Sequence, residues 1–421
     1  MSVQTKRRSF IKLTFVAFAA CLLYGISSGI RANYGILING ISQNSGIPYS
    51  SVSFILAIAQ LVYGITQPLF GILAIKKSNT FVLLTGAVLM AAGLAGIPFC
   101  HSIWSLLPFL GIVFPAGTGA MSFGIIMGAI SPLMNEKEAA AVSGIVTAGS
   151  GLGSTILSPA IQRSISAYGL QTTMFALCIP VLCLIPVSWC ISSSAKQVTL
   201  VQKSGAGQSM KRMFSDAFRD KSFLFLMIGF FTCGFHMAII ETHLFSQFVS
   251  YGIPEETAAY AFSLYGMAVI LGSTVSGILD SRFPMRKVLG SIYAFRVVII
   301  FMLLALPKTA SILFMIAILL GLTAASTVPP TSGLVGKLFG VRKMATLFGV
   351  TFLSHQVGSF FSSWLGGICI QMTNGYPLIW IASIFLSAIA AIASFSIKEP
   401  LNYGKQISRR QPAPRRTKTD R

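Results

Sequence analysis

The sequence predicts an all-α membrane protein: twelve spanning helices in two pseudo-symmetric six-helix bundles. Three observations carry that prediction. The composition is 54% hydrophobic and only 10% charged, where a soluble domain carries about 25% charged residues, and the mean hydropathy is +0.77. Apolar stretches of membrane-crossing length recur along the whole chain. Short motifs then return at one fixed distance, about half the chain apart.

The apolar segments fall at 10–38, 49–73, 80–98, 103–131, 139–162, 170–193, 222–249, 257–279, 288–306, 310–336, 344–371 and 376–397. Each has roughly the 20 residues a bilayer crossing needs. Charge placement supports the count, because basic residues gather in alternate loops. With the N-terminus inside, the outer loops hold only Arg163 and Lys308, while Arg31 and Arg296 lie within helices; every other Lys and Arg falls inside. Both termini are therefore expected in the cytoplasm.

The net charge of +21 is divided among short loops and the tail "RRQPAPRRTKTDR", so it does not form a nucleic-acid surface. The tail is expected to be disordered and drawn to anionic lipid. "KRRSFIK", from Lys6 to Lys12, has the look of a twin-arginine export signal. Eleven further apolar spans follow it, so it reads as an inner-side anchor. The seven cysteines are an odd number with no Cys-x-x-Cys pair, which indicates neither disulfides nor a metal site. No cofactor is expected.

"SGIP" at Ser45 to Pro48 answers "YGIP" at Tyr251 to Pro254, and "GIL" at Gly71 answers "GIL" at Gly277, both at a spacing of 206. Gly144 and Gly153 precede Gly349 and Gly358 by 205. The expected division is an N-terminal bundle at 1–193, a polar linker at 194–220, a C-terminal bundle at 221–397 and the tail at 398–421. Two such halves bind a solute near the membrane midplane between them in alternating-access carriers.

Arg31 is an obligate cation within the first span, and insertion scales set its cost at roughly 2.5 to 3.5 kcal/mol. Tyr24, Ser27, Ser28, Arg31, Tyr34 and Gly35 recur at three- and four-residue steps and form one stripe. A polar, small and aromatic stripe on a membrane helix belongs against a wet cavity. Arg31, Tyr24, Ser28 and Tyr34 are thus candidate anion-binding residues, the alternative being a structural arginine paired to a helix end or a carboxylate.

Adding 206 carries Arg31 to Met237 and Gly35 to Glu241 in the seventh span, so Glu241 should face the same cavity. A carboxyl exposed alternately to two sides is a candidate proton carrier; it is equally a candidate charge partner for Arg31. His236, His243 and His355 compete for the coupling role, or serve as hydrogen-bonded packing residues. Arg296 is expected to be structural. Gly144, Gly149, Gly153 and Gly358 read as close-packing surfaces. Pro329 and Pro330 should break the tenth helix, leaving Ser326, Thr327 and Thr331 as candidate cavity donors.

"GILDSRFPMRK" in the second half, with Gly277, Asp280, Arg282, Arg286 and Lys287, resembles the gating signature of the major facilitator superfamily. The first half has "GILAIKKSNT", with Ala74 in place of the acid. Three further runs resemble the monocarboxylate porter family, especially its bacterial members: "GIRANYGILINGISQNSGIPYSSVSF" from Gly29, "CGFHMAIIETHL" from Cys233 and "LFGVTFLSHQVGSFFSSWLGG" from Leu347.

The resemblance implies a carrier of a small organic anion, with Arg31 standing where the animal carriers have a substrate-binding lysine. It does not extend to their charged eighth helix, since "AAYAFSLYGMAVILGSTVSGIL" contains no charge. The expected protein is a monomer moving a monocarboxylate with protons, in a bacterial inner membrane. A proton-driven exporter of drugs or metabolites is the alternative. An enzyme would need a clustered acid, base or nucleophile, or a nucleotide- or metal-binding spacing, and the sequence has none.

Overall fold

The computed structural model describes residues 3–134, 136–195 and 210–400. Ten segments are long and apolar enough to cross a membrane. One of them, Val142–Ile191, is two spans. Helix Glu136–Ala195 turns at Gly169, whose φ of 78° lies in the left-handed region that glycine alone enters without cost. Val341–Thr373 supplies the remaining crossing with 33 residues, its Ser, His and Gln content lowering its hydropathy. The twelve expected spans are thus all helical, and they are numbered below in chain order.

The first span is not one unbroken helix. Val3–Ala32 gives way at Asn33 to Tyr34–Ser45, and the Asn33 side chain donates to the Gly29 carbonyl at 2.7 Å, the local competition that favours a break. The seventh span, Lys221–Ser250, breaks at the matching height, where Ile240–Leu244 form a π-helical turn. That turn carries both Glu241 and His243.

The expected linker differs from the structure at both ends. Ala195 still belongs to the preceding helix, and Met210–Arg219 form a short helix of their own. Its Phe218 ring meets Phe223 at 5.8 Å. Residues 196–209 and the tail beyond Pro400 lie outside the described residues.

Small residues set the packing within each half. The first span lies on the fifth, where a Cβ at Gly29 would stand 2.7 Å from the Gly153 carbonyl carbon. A Cβ at Gly153 would strike the Gly25 carbonyl, and one at Gly358 would strike the Phe231 carbonyl. These two contacts are the same contact at the repeat distance. Gly144, by contrast, has open space where a side chain would be, so its expected close-packing role is overturned.

The halves meet along two seams. Gly151 of the fifth span abuts Gly266 of the eighth, and Thr155 and Ser263 exchange hydroxyl-to-carbonyl hydrogen bonds at 3.2 and 2.7 Å. On the other side the second span packs on the eleventh, with Gln356 Nε2 donating to the Gln60 carbonyl at 3.0 Å.

Candidate functional site

Arg31 and Glu241 meet where the two helix breaks face each other. Arg31 Nη1 donates to Glu241 Oε2 and to Gln60 Oε1, each at 3.1 Å. The pair joins the two halves, and its side chains are only 13% and 6% exposed. Gly35 allows the approach: a Cβ there would sit 3.0 Å from the Glu241 carbonyl oxygen. The Tyr63 ring lies 4.9 Å from the guanidinium carbon, a cation–π distance.

Of the other expected binding residues, Tyr24 and Tyr34 lie within electrostatic reach of Arg31. Tyr24 packs edge-on to Phe123, while Tyr34 packs edge-on to Phe114. Several buried donors near Arg31 have no partner among the described residues: its own Nε, Gln60 Nε2 and Tyr34 Oη. Unmade hydrogen bonds of this kind cost about 1–3 kcal/mol each. A bound anion with several acceptor lone pairs is the chemistry that would relieve them.

The three histidines separate. His236 meets Ser383 at 3.1 Å inside the C-terminal half. His355 donates from Nδ1 to Gln356 Oε1 at 2.9 Å, since the amide nitrogen of Gln356 is spent on Gln60, and its ring stacks on Phe352. His243 spans the halves. Its Nε2 faces the Ser363 carbonyl at 3.0 Å and must carry the hydrogen, so Nδ1 accepts from the Tyr49 hydroxyl at 2.9 Å. A side chain at Gly366 would collide with that ring.

The gating motif is held by an acid from outside it. Asp280 does not pair with the basic residues of its own motif: both carboxylate oxygens are buried without a hydrogen-bond partner among the described residues. Arg286 Nη1 instead donates to the Phe395 and Ile397 carbonyls at 3.1 and 3.5 Å. The acid of the cluster is Glu399, which accepts from Lys337 Nζ at 2.6 Å and from the Arg286 backbone N–H at 3.1 Å. Gly277 borders open space, and Arg282 and Lys287 are exposed at the helix ends.

Arg296 is fully buried and caps the break in the tenth helix, donating to the Thr323 and Ala324 carbonyls, the latter at 3.0 Å. Ala325–Thr327 are 3₁₀-helical just before Pro329 and Pro330. The hydrogen bond missing at Pro330 is replaced by Ser276, whose hydroxyl donates to the Ser326 carbonyl at 2.6 Å. The Ser326 and Thr331 hydroxyls go to their own helix, and Thr327 meets Cys233 Sγ at 3.0 Å. Their expected role as cavity donors is therefore overturned.

Sequence reasoning missed Gln60, Tyr63 and Glu399. Gln60 had a signal, since an amide within an apolar span demands a partner. The others had none.

Two helical bundles closing over a buried, partner-poor charged centre define a polytopic membrane carrier. The family model described as Major Facilitator Superfamily matches residues 17–362 and again 247–419, and the chain belongs to that family. It is 24% identical over 370 residues to the uncharacterized MFS-type transporter YcxA of Bacillus subtilis, covering 83% of this chain and 87% of that one. It is 23% identical over 376 residues to monocarboxylate transporter 12-B of Danio rerio, covering 82% and 78%. Among solved structures, a D-xylose-proton symporter superposes with a TM-score of 0.71 at 14% identity, covering 92% of this chain and 98% of that one. The nucleoside transporter NupG gives 0.74 at 15%, covering 91% and 100%. These two likenesses speak for the fold alone.

Proposed function

We propose that this transporter moves a small organic anion, a monocarboxylate, by alternating access, and that Glu241 carries the coupling proton. The observation behind this reading is the Arg31–Glu241 contact between the halves. With Glu241 ionised, the centre is neutral and Arg31 is engaged. If a proton moves onto the Glu241 carboxylate, the guanidinium is left without its counter-charge in a nearly dry site, an unfavourable state that an incoming carboxylate reverses. Proton and anion thus enter together at constant net charge, which gives the two ligands their differential affinity.

In this reading Arg31, Tyr24, Ser28 and Tyr34 line the anion site, and the basic loops and both termini face the cytoplasm of a bacterial inner membrane. The tail meets anionic lipid, and the protein works as a monomer. The motif residues Gly277, Asp280, Arg282, Arg286 and Lys287 serve the inner gate together with Glu399.

The test is purified protein in liposomes, given a panel of small mono- and dicarboxylates with and without an imposed pH gradient. Glu241→Gln should abolish the response to the gradient while keeping anion exchange. Proton-driven uptake unchanged in that variant would move coupling to His236, His243 or His355. Uptake of neutral or cationic solutes in preference to anions would favour the exporter reading.

A further inference from the structure

The seventh span has an exposed stripe that the central site does not use. Lys221, Leu224, Ile228 and Phe231 follow one another at three- and four-residue steps, and the first three are exposed. The stripe is the floor of an open groove, with Ser354 of the eleventh span and Leu386 of the twelfth as its walls and the Phe218 ring at its mouth. Both walls are fastened to the floor: Ser354 Oγ donates to the Met227 carbonyl at 2.9 Å, and Thr232 Oγ1 donates to the Leu386 carbonyl at 3.4 Å. With those hydroxyls spent, the groove presents an apolar surface. From Leu224 to Thr232 it rises about 12 Å, close to one leaflet's share of the roughly 30 Å hydrocarbon core.

The mouth of the groove is cationic. The Lys398 backbone N–H donates to the Ser222 hydroxyl at 3.2 Å, which sets Lys398 beside Lys221, and both lysines are exposed. Arg219, exposed as well, ends the short helix Met210–Arg219. That helix buries Ala217 and packs Met213 and Phe214 against the core of the C-terminal half, so Phe218 and Arg219 are held in place. Two of the nearby acids are engaged elsewhere. Asp220 accepts from the Ser222 N–H at 2.7 Å, and Glu399 holds Lys337 and the Arg286 N–H. Asp216, exposed on the short helix, offsets one charge, which leaves the mouth positive.

We propose that this groove binds an anionic phospholipid of the leaflet beside the basic loops: one acyl chain lies along Leu224, Ile228 and Phe231, and the phosphate meets Lys221, Lys398 and Arg219. An acyl chain gains little by exchanging one hydrocarbon surrounding for another, so the groove alone would hold any lipid. Selection falls to the headgroup. Each Lys or Arg near the surface attracts anionic lipid, and here three of them converge on one mouth. A zwitterionic lipid brings an ammonium along with its phosphate and forgoes most of that attraction. Floor, walls and mouth all belong to the C-terminal half, so the bound lipid stays in place while the two halves move apart.

The test uses the full chain in phosphatidylcholine liposomes doped with a trace of either phosphatidylglycerol or phosphatidylcholine that carries a photoreactive diazirine on one acyl chain. After illumination, the segment 224–232 should take up about tenfold more label from the phosphatidylglycerol probe than from the phosphatidylcholine probe with the same chains. Arg219→Gln, Lys221→Gln and Lys398→Gln together should bring that ratio to within about twofold of one. Lys76→Gln with Lys77→Gln, exposed cations at the inner end of the second span, should leave it unchanged. All five side chains are exposed, and an unaltered thermal transition checks that each variant is folded. Equal labelling by the two probes in wild type, or a ratio that survives the triple substitution, overturns the proposal. An equal fall in the Lys76 and Lys77 variant also overturns it, because the attraction would then belong to basic loops in general. None of these readouts depends on which solute the protein carries.

Discussion

Arg31 gives its two Nη1 hydrogens to an amide oxygen and a carboxylate, while its Nε has no partner among the described residues. A guanidinium held only on one edge retains its second edge for a ligand, and its planar fork fits a carboxylate with two parallel bonds. Arg31→Ala should lower uptake about tenfold to a hundredfold, the value of a charge-assisted hydrogen bond in a desolvated site, with insertion in the membrane unchanged. Arg31→Lys keeps the charge but loses the fork, so it should fall between the two. Initial rates in liposomes, normalised to inserted protein, check both; an alanine variant with wild-type rates would remove Arg31 from the binding site. Gln60 belongs to the same unit, since its amide oxygen aims Nη1 while its backbone carbonyl receives Gln356 from the other half.

At the level of helices, close packing comes from residues without side chains at a few heights only. Gly153 lies against Gly25 and Gly29 of the first span, whereas Gly144, less than three turns earlier on the same helix, borders open space. Gly153→Leu should destabilise the protein by about 1–3 kcal/mol through overpacking, while Gly144→Leu should stay within about 0.5 kcal/mol of wild type. Thermal unfolding of the detergent-solubilised variants reads the difference, and equal transitions would refute the packing assignment. The breaks at Asn33 and at Ile240–Leu244 act in the same economy of space. They turn Arg31 and Glu241 toward each other, and a π-helical turn at such a place is a frequent companion of function.

For the molecule as a whole, one set of contacts between the halves lies at the end remote from the basic loops. They include Tyr49 with His243, Ser246 Oγ donating to Asn39 Oδ1 at 3.2 Å, Gln162 Nε2 donating to Glu255 Oε2 at 2.6 Å, and Arg163 Nε donating to Glu256 Oε1 at 2.9 Å. The Arg163–Glu256 pair is more than half exposed and so contributes at most about 1 kcal/mol, weak enough to part in each cycle. Alternating access requires this end to separate. Gln162→Cys combined with Glu255→Cys, in a background without the native cysteines, should be joined by a short, reducible bis-methanethiosulfonate cross-linker. Uptake should then drop to background and return on reduction. Full cross-linking with undiminished uptake would show that the halves never separate here.

The sequence by itself determined the class of fold, because membrane burial is a matter of composition and length that each span satisfies alone. It also determined the two halves, through the spacing of 206 between Ser45 and Tyr251, and it singled out Arg31 and Glu241, since an ionisable group in an apolar span is conspicuous wherever it points. Pro329 and Pro330 announced the break in the tenth helix for the same local reason. What the sequence could not assign were partners. Asp280 and Glu399 look alike as acids near basic residues, yet Glu399 holds Lys337 and the Arg286 N–H while Asp280 holds neither. Gly144 and Gly153 look alike as glycines on one helix. Only the tertiary structure decided these, because hydrogen-bond satisfaction and van der Waals contact depend on which face of another helix arrives within about 3–4 Å, a property of two distant segments that neither encodes alone.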